Sequence, residues 1–153
     1  MRGIGGVGQG SCDAIYCSHI LEHLALDDLR LALRNTHGYL RPGGIFRVVV
    51  PDFEQQMAAY QSNPNPEALS NFMGYTHLGR HRCPKGIKDF LREHFRNSPH
   101  LWMWDEKGLA AELKSAGFTN IRRCQAGDSV NKAFLAVENP DRFAGGLAFE
   151  CSR

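Results

Sequence analysis

The sequence has no long apolar run, almost no net charge and no paired-cysteine motif. Each absence narrows what the chain can be. No stretch of about 18 consecutive apolar residues occurs, so no helical membrane span is expected. Eighteen Lys and Arg against sixteen Asp and Glu leave a formal charge of +2, too little to argue for a nucleic-acid partner. The five cysteines (Cys12, Cys17, Cys83, Cys124 and Cys151) are odd in number and form no C-x-x-C. That points to reduced thiols in a cytoplasm, not to a disulfide framework. The opening MRGIGGVGQGSCD lacks the apolar core of a signal peptide, and no internal repeat or low-complexity run is present. What remains is a 153-residue chain, 42% apolar and 22% charged, the size and composition of one soluble domain with one core. Asn63-Pro64-Asn65-Pro66 is the clearest loop signal and a candidate hinge.

Hydrophobic periodicity then sets out the elements. DAIYC (13–17) reads as a short buried strand. Residues 27–40 read as a helix that presents Leu29, Leu33, Thr36 and Leu40 on one face, with Asp27 as its N-cap. Arg41-Pro42-Gly43-Gly44 makes a tight turn. IFRVVV (45–50) follows as a strand buried on both faces, as in a parallel sheet. Strand, helix and strand in about 38 residues make a βαβ unit. Helices are expected over 52–61, 66–75, 86–96 and 106–116. The third of these carries Ile87, Phe90, Leu91 and His94 on its inner face. The last has Asp105 as cap, Trp104 and Leu109 as a hydrophobic staple, and Gly117 as its left-handed C-terminal stop. Trp102 is read as core. FTNIRRC (118–124) and GLAFEC (146–151) are further strands, and AFLAVE (133–138) fits either strand or irregular structure. The alternation argues for an open α/β sheet.

Two constellations carry possible metal chemistry. His19-Ile20-Leu21-Glu22-His23 is a literal H-x-x-E-H. On a helix it would point His19 and His23 at one zinc, with Glu22 as general base. The motif directly follows a strand, however, which makes its first half a strand-ending turn and argues against zinc there. Residues 77–100 hold His77, His81, His94 and His100 with six Lys or Arg against two acids. His77, His81 and Cys83, with His94 as a fourth ligand, are a zinc alternative, but the spacing matches no closed zinc module. The charge could instead hold an anionic substrate, and a solvated basic face is the plainer reading. No metal is therefore expected.

The series DAIYCSHILEHL, LRPGGIFRVVVPD and HLWMWDEKGLAAELKSAGFTNIRRC resembles the C-terminal half of class I S-adenosylmethionine-dependent methyltransferases. The resemblance runs over roughly residues 11–151. It implies an α/β fold, a truncated Rossmann-like sheet with family strands in the order 4-5-7-6, the last strand antiparallel, and flanking helices. Residues 13–153 would form this partial domain and 1–12 a flexible N-terminus. The implied reaction is methyl transfer from S-adenosylmethionine to a small-molecule acceptor that the sequence does not identify. By resemblance, Cys17, Ser18 and His19 run beside the cofactor's methionine part. Glu22 and His23 are candidate catalytic residues, set against a reading in which they only hydrogen-bond the local backbone. Asp52, Tyr75 and His77 are substrate candidates, and Tyr60 a weaker one.

The family's glycine-rich loop and its upstream ribose and adenine contacts have no counterpart in the aligned segment. Gly3-Ile4-Gly5-Gly6-Val7-Gly8 is a literal G-x-G-x-x-G, but a strand should precede such a loop and a helix should follow it. The expectation is a chain incomplete or inactive alone. The alternative is a non-catalytic binding or assembly domain. In the family, strand 13–17 pairs with the first strand. With that edge bare, a homodimer across it is expected.

Overall fold

A computed structural model describes residues 5–79, 88 and 99–153. Apart from helical Lys88, the helix expected over 86–96 lies outside them, as do His81, Cys83 and His94. Four strands form one mixed sheet: β1 (Cys12–Ser18), β2 (Leu40–Pro51), β3 (Thr119–Arg123) and β4 (Gly146–Ser152), in the order β1-β2-β4-β3. β1 runs parallel to β2, and β4 runs antiparallel to both β2 and β3. This is the arrangement that the family order 4-5-7-6 implies.

β2 is central because alternate residues on it find burial on both faces. Phe46, Val48 and Val50 join Leu29 and Leu33 of α1 (Leu26–Tyr39) and Leu109 and Leu113 of α4 (Glu106–Ser115) in the main core. Val49 packs on the opposite face with Cys124 and Ala148. That second face also takes Arg47, wholly buried on the same strand. Its guanidinium donates to Glu138 Oε1 (2.5 Å), Asp128 Oδ1 (3.0 Å), Glu150 Oε2 (2.7 Å) and the Gln125 carbonyl (2.8 Å). It also lies 5.5 Å from the Phe134 ring centroid and 5.9 Å from that of Phe143. A buried arginine is tolerable here because its charge and donors are met. The 124–143 segment supplies most of those partners, so it is fastened over the sheet by polar groups as much as by apolar ones.

Several expectations change. The Arg41–Gly44 turn does not precede β2 but sits inside it as a bulge. The register passes from Cys12↔Leu40 to Ala14↔Ile45, so three extra residues loop out of β2. Gly43 takes φ 73°, and a side chain on Gly44 would meet the Arg41 carbonyl at 2.9 Å and that of Cys12 at 3.1 Å. β1 is half-buried, not buried, because its only strand neighbour among the described residues is β2. Ala25, not Asp27, is the N-cap of α1; no side chain caps that end, and Asp27 lies in the first turn, where its charge favours the helix dipole. Over 133–138 no strand forms: residues 133–136 belong to a 3-10 helix, Lys132–Ala136, and the next two are a turn and irregular backbone. Trp102 is not core: it is 42% exposed, whereas Trp104 is buried beside Leu109 as the staple requires. Helices α2 (Phe53–Ser62), α3 (Ala68–Tyr75) and the short α5 (Pro140–Phe143) flank the sheet. Residues 5–11 hold two turns and neither helix nor strand.

Candidate functional site

The carboxyl ends of β1 and β2 lie side by side, where open α/β sheets bind ligands. Ser18 is level with Val49, and the His19 N–H donates to the Val49 carbonyl at 2.8 Å. His19 then turns the chain with φ 51°, a left-handed backbone uncommon outside glycine. Its ring is anchored by Nε2, which donates to the Arg142 carbonyl at 3.0 Å. A single 3-10 turn, Leu21–His23, follows. The H-x-x-E-H is thus not on an α-helix, and the helical zinc geometry does not form.

Residues 99–105 cross the same end of the sheet. The Leu101 and Trp102 N–H groups donate to the Glu22 carbonyl (2.8 and 3.1 Å), and the Phe53 N–H donates to the Trp104 carbonyl (3.0 Å). One strap therefore ties the Glu22 turn to the end of β2. It also brings His100 to His23, with ring centroids 4.9 Å apart and edge-on, and His77 to His100, again at 4.9 Å. His77 reaches there from a residue of φ 55° after α3.

Glu22 is the centre of this cluster. It is 1% exposed, and among the described residues no donor has hydrogen-bond geometry to either carboxylate oxygen. The nearest nitrogens are His19 Nδ1 at 3.5 Å and His23 Nε2 at 3.9 Å, both from Oε1. His23 Nδ1 donates to the Pro99 carbonyl at 3.3 Å, which leaves Nε2 facing Glu22. The Glu22 carboxylate raises the His19 pKa against the effect of burial, with help from the Arg142 carbonyl. Burial lowers that of His100, against the pull of Glu22. Burial, then the Glu22 charge, push the Cys17 thiol up to about 12, so Cys17 is a neutral wall and not a nucleophile. The Ser18 and Tyr16 hydroxyls are buried with no hydrogen-bond partner among the described residues.

The expected site residues divide on this geometry. Cys17, His19, Glu22 and His23 are brought together, Ser18 adjoins them along the chain at the end of β1, and His77 joins them through His100. The local-backbone reading describes neither side chain: His23 Nδ1 meets the Pro99 carbonyl, 76 residues away, and the Glu22 carboxylate faces imidazoles. Asp52 stands at the end of β2, yet both its oxygens are engaged. Oδ1 accepts from the Gln55 N–H at 3.2 Å as the N-cap of α2, and Oδ2 accepts from Arg123 at 3.1 Å. Tyr75 is 70% exposed, and Tyr60 packs on Phe72. The sequence reading left His100 as one more histidine of a basic stretch and did not single out Arg142 or the Pro99 carbonyl. The only signal for His100 was its place just before the Leu101–Trp104 run, which the strap carries to the strand ends.

A family model described as "Methyltransferase domain" matches residues 5–123. The chain belongs to that family, and its α/β sheet is that of class I S-adenosylmethionine-dependent methyltransferases. Among solved structures, a chain of the complex between the Haloferax volcanii Trm112 methyltransferase activator and a methyltransferase matches with TM-score 0.51 and 15% identity, over 96% of this chain and 56% of that one. A SAM-dependent methyltransferase from Archaeoglobus fulgidus matches with TM-score 0.49 and 10% identity, over 96% and 62%. The Burkholderia thailandensis 1,6-didemethyltoxoflavin-N1-methyltransferase, with S-adenosylhomocysteine bound, matches with TM-score 0.48 and 17% identity, over 95% and 45%. The chain thus spans between about a third and three fifths of the length of such structures. No curated protein matches.

Proposed function

We propose that this chain takes part in methyl transfer from S-adenosylmethionine to a small-molecule acceptor and forms the wall of the site that faces the cofactor's methionine end. The observation that carries the reading is the Ser18 hydroxyl, buried at the carboxyl end of β1 and without a partner among the described residues. A buried hydroxyl left without a partner is costly, and a ligand with hydrogen-bonding groups removes the cost. The amino-acid end of S-adenosylmethionine has such groups, so the residues present fit it on this side. Ser18 and His19 would hold that end, with Cys17 as an apolar neighbour. When bound, the cofactor supplies an electrophilic methyl group on a sulfonium. The chain's own contribution is to align an acceptor and keep water out. Glu22 and His23 stand on the acceptor side, with His77 and Tyr75 further out. Asp52 positions α2 and Arg123 and so acts on the acceptor only through them. Titrating S-adenosylmethionine into the isotope-labelled chain and following the Ser18 and His19 amides tests this reading.

A second reading, assembly through the β1 edge, is favoured by that strand's half-burial and by its having β2 as its one strand neighbour among the described residues. An exposed edge of this kind invites another strand. We propose a second copy of the chain as the occupant, related by a two-fold axis. The two readings are compatible, since a neighbour on that edge would add a wall beside Ser18. The four described cysteines outside the 80–98 segment are unpaired thiols, which supports a reducing, cytoplasmic setting. Among the described residues, no helix is long and apolar enough to cross a membrane.

A further inference from the structure

We propose that Glu22, His23 and His100 form a binding site for one divalent transition-metal ion of the zinc class. One ligand atom from each residue lies within 4.8 Å of the other two. The three come from two segments, the 3-10 turn after β1 and the strap. Backbone hydrogen bonds from Leu101 and Trp102 to the Glu22 carbonyl hold those segments at fixed separation.

Each donor is prepared for an ion. The His23 Nδ1–H is committed to the Pro99 carbonyl, the usual way a ligating imidazole has its other nitrogen fixed. Its Nε2 faces Glu22. His100 Nδ1 is buried without a hydrogen-bond partner among the described residues, and so are both oxygens of Glu22. Among the described residues only imidazoles approach that carboxylate, His19 Nδ1 at 3.5 Å and His23 Nε2 at 3.9 Å, and a buried carboxylate so placed is stabilised by a cation among them. Tetrahedral zinc, about 2.0–2.1 Å from each nitrogen and oxygen, needs donor atoms about 3.3 Å apart. From the 4.8 Å bound, the side chains draw in by on the order of 1 Å to close on the ion. Two imidazoles and one carboxylate suit zinc and its neighbours, whereas Mg²⁺ and Ca²⁺ prefer oxygen donors throughout. Three protein ligands leave a position open for water or for a nitrogen or oxygen of a bound molecule.

This site is not the helical H-x-x-E-H. His19 ties its Nε2 to the Arg142 carbonyl, and His100 takes the place that motif would give it. The inference stands apart from the cofactor reading, because the ligands are set by the turn and the strap alone.

The test uses the whole chain, stripped of metal with EDTA, dialysed, and titrated with Zn²⁺ against a chromophoric chelator. One zinc per chain is expected, with Glu22→Gln and His100→Ala each weakening it by about tenfold or more. Co²⁺ should give visible ligand-field bands that both variants lose. Circular dichroism checks folding. If the Glu22 variant does not fold, His100→Ala and the Co²⁺ spectrum still decide. The double variant His81→Ala/Cys83→Ser should bind as the parent does. Sub-stoichiometric zinc, parental affinity in His100→Ala, or loss of binding in the double variant alone would overturn the proposal.

Discussion

Arg47 and Glu150 face each other across β2 and β4 as a register pair, with the guanidinium nitrogen 2.7 Å from the carboxylate. Glu150 is shared: Arg122 on β3 also donates to it, at 2.6 Å, and to Asp128 at 3.0 Å. Two arginines and three acids thus lock the sheet to the segment that covers it. Removing Arg47 leaves Glu138 and Glu150 with less compensation inside the fold. Arg47→Ala should cost about 3–5 kcal/mol, read from urea unfolding. A loss below about 1 kcal/mol, the range of an exposed ion pair, would show that the network is not a structural lock.

The same network sets the acid limit of the fold. Burial pushes the Asp128 carboxyl up, but hydrogen bonds from Arg122, the Gln125 N–H and Arg47 outweigh it and hold the group at about 2. Glu150 is also held low, as hydrogen bonds from Ser129, Arg47 and Arg122 outweigh its burial. A carboxyl whose pKa is lower folded than unfolded binds fewer protons in the native state. Its stabilisation is therefore full above the ordinary carboxylate range and is lost as pH falls. Stability should drop between about pH 4.5 and 2, and Asp128→Asn should flatten that drop. Denaturant midpoints measured across this range check it, and an unchanged slope in the variant contradicts it.

The β1 edge makes a prediction about mass. Light scattering coupled to size exclusion at micromolar concentration should give a dimer. A monodisperse monomer would remove β1 as an assembly edge and leave its open side to other contacts.

Much of the sheet was legible because periodicity reports burial. The Val48-Val49-Val50 run announced a strand with two covered faces, and the Asp105, Trp104 and Gly117 signals framed α4 closely. Arg47 was not legible in this way: its three acid partners lie 81 to 103 residues away, and no local pattern links them. The bulge at Arg41–Gly44 has the composition of a turn, and only pairing with β1 shows that β2 runs through it. Of the site, the strand-end residues could be read because their motif marks where β1 stops. The Glu22–His100 approach could not, since tertiary hydrogen bonds place the strap and no spacing records them.

The most direct test of the proposed function is a titration of the ¹⁵N-labelled chain with S-adenosylmethionine, followed by amide chemical shifts. Such shifts report contact even at millimolar affinity, so a site completed by a neighbour on β1 would still be seen. The account predicts saturable changes at Ser18 and His19, diminished in Ser18→Ala while that variant keeps its fold. Unmoved amides at the end of β1 at millimolar cofactor, or changes confined to another part of the sheet, would contradict it.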